Sequence, residues 1–161
     1  MQKLLVIALL AGLTACQSGP STRSLSGQPQ LTVSNNSQSV IIAAPPEAVR
    51  GALVASATRK GTAIVQDSAN MVVMERVLIG ENPALDSQFG PSDNGIRVIR
   101  IRVRFTGTEC TTTAVQDLAL VNNVRTALEQ SFAMPGDANT QKSLQGLKRS
   151  AENASKCKRL L

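Results

Sequence analysis

Gly95-Ile96-Arg97-Val98-Ile99-Arg100-Ile101-Arg102-Val103-Arg104-Phe105 is the stretch on which the fold turns. Ile99, Ile101, Val103 and Phe105 alternate with Arg100, Arg102 and Arg104. A period of two over this length belongs to a strand with one face in a core and the other outside. Thr106-Gly107-Thr108 reads as a turn, and a second strand is expected over 109–121. Residues 122–136 fit either a final strand or a short helix. From Asp137 a last helix is expected, because Leu144, Leu147, Ala151 and Ala154 recur every three or four residues.

Upstream, residues 80–94 (GENPALDSQFGPSDN) read as a long polar loop, of the kind that is usually functional or mobile. Residues 62–67 and 71–79 form a hairpin turned at Ser68-Ala69-Asn70. Before it, Pro46 suits the first position of a helix, Glu47 its first turn, Arg59 and Lys60 its last turn, and Gly61 its stop. Val40-Ile41-Ile42-Ala43 is a short apolar strand. The order β-α-β-β-β-β-α implies an α+β domain of two layers, an antiparallel sheet with helices packed on one face, spanning 39–161.

The chemistry expected of this domain is narrow. The chain has no His, which removes the commonest general base and metal ligand. No phosphate-cradling glycine loop and no close Cys spacing is present, so neither a cofactor nor a metal site is expected. Asp86, Asp93, Glu75 and Glu81 could in principle pair for glycoside hydrolysis, but loop solvation explains them better. Catalysis is therefore not expected. Three Phe, no Tyr and no Trp argue against base stacking on single-stranded nucleic acid. Lys and Arg number 17 against 11 Asp and Glu, an excess that suits anionic partners without requiring one.

Arg100, Arg102 and Arg104 are the most distinctive cluster, about 7 Å apart along one face of a strand. Guanidiniums so spaced can fork onto phosphates or carboxylates of an anionic envelope polymer or an acidic protein. Alternatively they form a solvated outer face, with Glu75, Glu109 and Asp117 as neighbours on adjoining strands.

The amino terminus has a separate logic. Lys3 precedes the apolar run Leu4-Leu5-Val6-Ile7-Ala8-Leu9-Leu10-Ala11, too short to span a bilayer as a helix, which needs roughly 20 residues. Leu13-Thr14-Ala15-Cys16 follows. This segment resembles the lipobox of bacterial lipoprotein signals. The resemblance implies that residues 1–15 are cleaved and that Cys16 carries lipid anchoring the chain to a membrane. The absence of Asp after Cys16 implies sorting to the outer membrane, facing the periplasm. Residues 17–38 are rich in Ser, Gly, Pro, Gln and Asn and read as a tether spanning roughly 25 Å. With Cys16 lipidated, Cys110 and Cys157 remain, and an oxidising periplasm favours their disulfide over two buried thiols.

Two functions follow as expectations. One is an interaction component of the envelope, docking onto a protein or an anionic polymer; the domain loosely resembles, at the level of fold alone, those of accessory lipoproteins in outer-membrane assembly and secretion systems. The other is a module for a lipid or hydrophobic ligand, with Ala48, Ala52, Ala55 and Ala57 leaving space beneath the first helix.

Overall fold

The computed structural model describes Leu31, Asn35 and residues 37–157; the signal segment, Cys16 and nearly all of the tether lie outside the described residues. In chain order the elements are β1 (Gln38–Ile42), α1 (Pro46–Arg59), β2 (Ala63–Ser68), β3 (Met71–Leu78), α2 (Pro83–Phe89), β4 (Arg97–Thr108), β5 (Thr111–Asn122), β6 (Gln130–Met134) and α3 (Ala138–Ala154). The sheet runs β1-β5-β4-β3-β2 with every pairing antiparallel. β1 and β6 share the outer edge of β5, β1 against Thr112–Gln116 and β6 against Leu118–Asn122. This is the α+β architecture expected, with two additions.

The first addition is α2, inside the stretch expected to be loop. Asn82 caps it by accepting from the Leu85 N–H at 3.1 Å, Pro83 opens it, and Gly90 ends it at φ 77°. Those signals stand in the sequence. None of the helix's residues is buried, however, so no apolar stripe marks it. The second is β6, which settles 122–136 as a turn followed by a strand. The β4–β5 hairpin also turns two residues later than expected. Thr108 pairs with Thr111, so Glu109 and Cys110 form the turn and Gly107 lies in the strand. A Cβ at Gly107 would sit 2.0 Å from the Thr111 carbonyl oxygen, so only glycine fits that close approach.

Register sorts β4 into two faces. Ile101 pairs with Met74 and Leu118, Val103 with Val72 and Gln116, and Phe105 with Ala114. These face α1 and α3. Val72, Val103, Phe105 and Ala114 are buried with Val49, Leu53 and Ala57 of α1 and Leu144, Leu147 and Ala151 of α3. Burying a Val, Leu or Phe side chain contributes about 1.5–3 kcal/mol, so this interlayer cluster dominates the stability of the domain. Arg100, Arg102 and Arg104 point the other way, to a face on which no helix lies among the described residues.

Polar links fix the helices to the sheet. Arg50 of α1 forks onto Asp67 of β2, at 2.6 and 2.7 Å. Cys157, just beyond α3, is disulfide-bonded to Cys110 in the β4–β5 turn, closing 47 residues. At the far end of the sheet Arg97 joins α2 to β5. Its guanidinium donates to Asn122 Oδ1 and to the Gly90 carbonyl, both at 2.6 Å, and pairs with Asp86 at 2.7 Å. Phe89 of α2 meets Phe132 of β6 with ring centroids 5.3 Å apart.

Candidate functional site: an open arginine face and a cleft between the helices

On the helix-free face the arginines lie in a mesh of carboxylates. Arg100 donates from Nε to Glu75 Oε1 at 2.8 Å and from Nη1 to Glu129 Oε1 at 3.0 Å. Arg102 and Arg104 both reach Asp117 Oδ2, at 3.0 and 3.2 Å, and Ser37 donates its hydroxyl to Asp117 Oδ1. A fourth arginine, Arg125, closes the mesh on Glu75 Oε2 at 2.7 Å. It arrives from the turn after β5, where Asn123 and Arg125 both adopt positive φ, 53° and 61°. That turn folds over the sheet, and Val124 packs on Val98 and Val121 in a second apolar cluster.

Sequence reasoning placed Glu75 and Asp117 beside the stripe, and cross-strand register puts them there, Glu75 opposite Arg100 and Asp117 opposite Arg102. Glu109, the third candidate, lies in the hairpin turn and makes no ion pair among the described residues. Arg125 and Glu129 were not foreseen, because their stretch could not be assigned to strand or helix.

These contacts set the titration of the acids. Burial by itself pushes the Asp117 carboxyl up, but hydrogen bonds from Ser37 and Arg102 and the charges of Arg104 and Arg102 together hold it below the usual range. Glu129 is held low chiefly by the backbone N–H of Arg125, with Arg100 adding to it. Glu75 is 4 % exposed and receives two guanidiniums.

The helix-bearing face carries a different feature. Between α1 and α3 a cleft of about 470 Å³ opens down to the sheet, within the range of about 300–1,000 Å³ common to small-molecule sites. Met74, Ile101 and Val103 form its apolar floor. The walls are small: Ala52, Ser56 and Ala57 on α1, Ser143, Gly146 and Ser150 on α3. A Cβ placed on Gly146 would meet nothing within 4 Å, so the wall stands clear of its neighbours there. Ala52 and Ala57 were among the small residues expected to leave space.

Two polar features mark this cleft. Gln116 of β5 lies on the floor, 5 % exposed, and its side chain makes no hydrogen bond among the described residues. The ionisable residues around the opening are Arg59, Lys60, Lys142 and Arg149, all cations. None of these four is ion-paired among the described residues.

Neither a protein-family model nor a curated protein matches this chain.

Proposed function

We propose that this chain is an outer-membrane lipoprotein, held by lipid on Cys16 and facing the periplasm, whose folded domain is a binding module for a ligand with an apolar body. The cleft between α1 and α3 carries this reading, since it pairs an apolar floor with the Gln116 side chain, which opens onto the cleft and makes no hydrogen bond among the described residues. The lipobox-like Leu13-Thr14-Ala15-Cys16 supports the anchor, and the Cys110–Cys157 bond supports an oxidising compartment. The proposed role is binding, and the carboxylates Glu75, Asp86 and Asp117 are engaged by arginines.

Mass spectrometry of the full chain extracted from its own membrane tests this reading. The expected result is acyl mass on a mature chain beginning at Cys16, together with an apolar molecule retained under native conditions. Gly146→Leu fills the cleft and should release that molecule. Equal retention by Gly146→Leu and the parent would overturn the cleft as the site, and an unacylated mass would overturn the anchor.

A second reading, an envelope interaction component docking through the open face, is favoured by one observation. Arg100, Arg102, Arg104 and Arg125 outnumber Glu75, Asp117 and Glu129, and the side chains of Arg102 and Arg125 are 52 % and 62 % exposed. An acidic protein or polymer could draw on that surplus. Charge reversal at Arg102 and Arg125 should then abolish co-purification of such a partner.

A further inference from the structure

We propose that the cleft takes a single-chain amphiphile with an anionic head, a long-chain fatty acid being its simplest member; the proposal rests on the cleft reading above.

The charge comes from the opening. The described chain has 13 lysines and arginines, seven of which are ion-paired: Arg50, Arg97, Arg100, Arg102, Arg104, Arg125 and Lys148. Of the six left over, four surround this one cleft. Among the described residues no Asp or Glu lines it. A neutral ligand would gain nothing from such a perimeter, and a cationic one would be repelled. An anion seated there satisfies charges that have no ion-pair partner among the described residues.

The body of the ligand comes from the floor and walls. Met74, Ile101 and Val103 offer an aliphatic strip, flanked by walls of alanine, serine and glycine that leave a slot between two helices. Among the described residues no aromatic side chain lines the cleft, so none of them offers a ring to stack against a planar ligand. A flexible chain of methylenes fills such a slot, each buried methylene contributing about 0.8 kcal/mol. Gln116 adds a donor and an acceptor amid this apolar surface, which a polar atom of the ligand would satisfy. An amphiphile meets both demands of this surface, where a pure hydrocarbon would leave the Gln116 amide unanswered.

The test uses the full chain in a neutral detergent, with hexadecanoic acid bearing a mid-chain diazirine and the matching hexadecanol as probes. After illumination, labelled peptides are mapped by mass spectrometry. The acid should label the cleft floor and walls about tenfold more than the alcohol, the advantage expected of one or two partly exposed ion pairs. Lys142→Glu with Arg149→Glu should remove that advantage and leave alcohol labelling unchanged. Raising the salt concentration should lower acid labelling of the parent chain, a measurement that needs no variant. Equal cleft labelling by acid and alcohol would overturn the anionic head and leave the cleft reading intact. Absence of cleft labelling by either probe would overturn both.

Discussion

The two faces of one sheet hold cations under opposite conditions. On the open face each arginine of β4 meets a carboxylate on a neighbouring element: Asp117 serves Arg102 and Arg104, and Glu75 serves Arg100 together with Arg125 of the turn after β5. Around the cleft on the helix face, Arg59, Lys60, Lys142 and Arg149 have no such partner among the described residues. The difference teaches that the more conspicuous cluster in a sequence need not be the more available one. Charges paired at short range inside a mesh are spent largely on holding strands and turn together. Unpaired charges at the mouth of a concave surface remain free to meet something else.

This contrast can be broken or sharpened by measurement, beginning with the largest expected effect. Replacing Cys110 and Cys157 by serine should cost about 4 kcal/mol in the chain-entropy view of a loop of this length. α3, one wall of the cleft, should loosen first, and hydrogen exchange should show it opening ahead of β4. Equal opening of both faces would mean that the bridge does not act on the helix layer selectively.

Next comes the mesh. Glu75→Gln leaves Arg100 and Arg125 short of a buried counter-charge and should lower stability by about 2 kcal/mol, less than for a fully buried pair because Arg125 is exposed. Urea denaturation reads this directly. A change within 0.5 kcal/mol, roughly the noise of surface substitutions, would show the mesh to be an ornament of the surface.

Acid titration separates the faces further. The Asp117 and Glu129 carboxyls titrate lower in the folded chain than in the unfolded one. The stability they supply is therefore complete above the unfolded values, about 3.9 for Asp and 4.3 for Glu, and is lost as pH falls through the lower folded values. Asp117→Asn should cost about 1 kcal/mol at neutral pH and flatten this acid limb. An acid limb identical to that of the parent chain would count against the mesh as its source.

Smaller still is the effect of Gly146→Ala. Open space surrounds a Cβ there, so the gain in helix propensity should stabilise α3 by about 0.5–1 kcal/mol, seen as a raised Tm. Smallest is neutralising the opening. Lys142→Ala with Arg149→Ala should leave stability unchanged within about 0.5 kcal/mol, since neither side chain has an ion-pair partner among the described residues to lose. A loss comparable to that of Glu75→Gln would erase the contrast between the faces.

Much of this was legible in the chain itself. The alternation Ile99, Ile101, Val103, Phe105 determines which side of β4 is core, because side chains on a strand must alternate. The Pro46 start and Gly61 stop determine α1, because each needs a backbone conformation those residues supply. Leu144, Leu147 and Ala151 determine the buried stripe of α3. Even the pairing of Arg100 and Arg102 with Glu75 and Asp117 could be anticipated, since cross-strand neighbours follow once the hairpins are placed.

What remained was decided in three dimensions. α2 has local signals but no fully buried residue, and β6 pairs with the outer edge of β5 beyond β1 while its Phe132 meets Phe89 of α2. Arg125 reaches Glu75 across 50 positions of sequence through a turn held at positive φ, a contact with no local signature. The cleft belongs to the same class. Its walls come from two helices far apart in the chain, α1 ending at Arg59 and α3 beginning at Ala138, with β2 to β6 between them. Small residues on either helix only permit space; whether space forms depends on how the helices cross above Met74, Ile101 and Val103. Local periodicity is carried by neighbouring residues, and so it is written in the sequence. A concave surface and its ring of unpaired cations arise from the packing of distant segments.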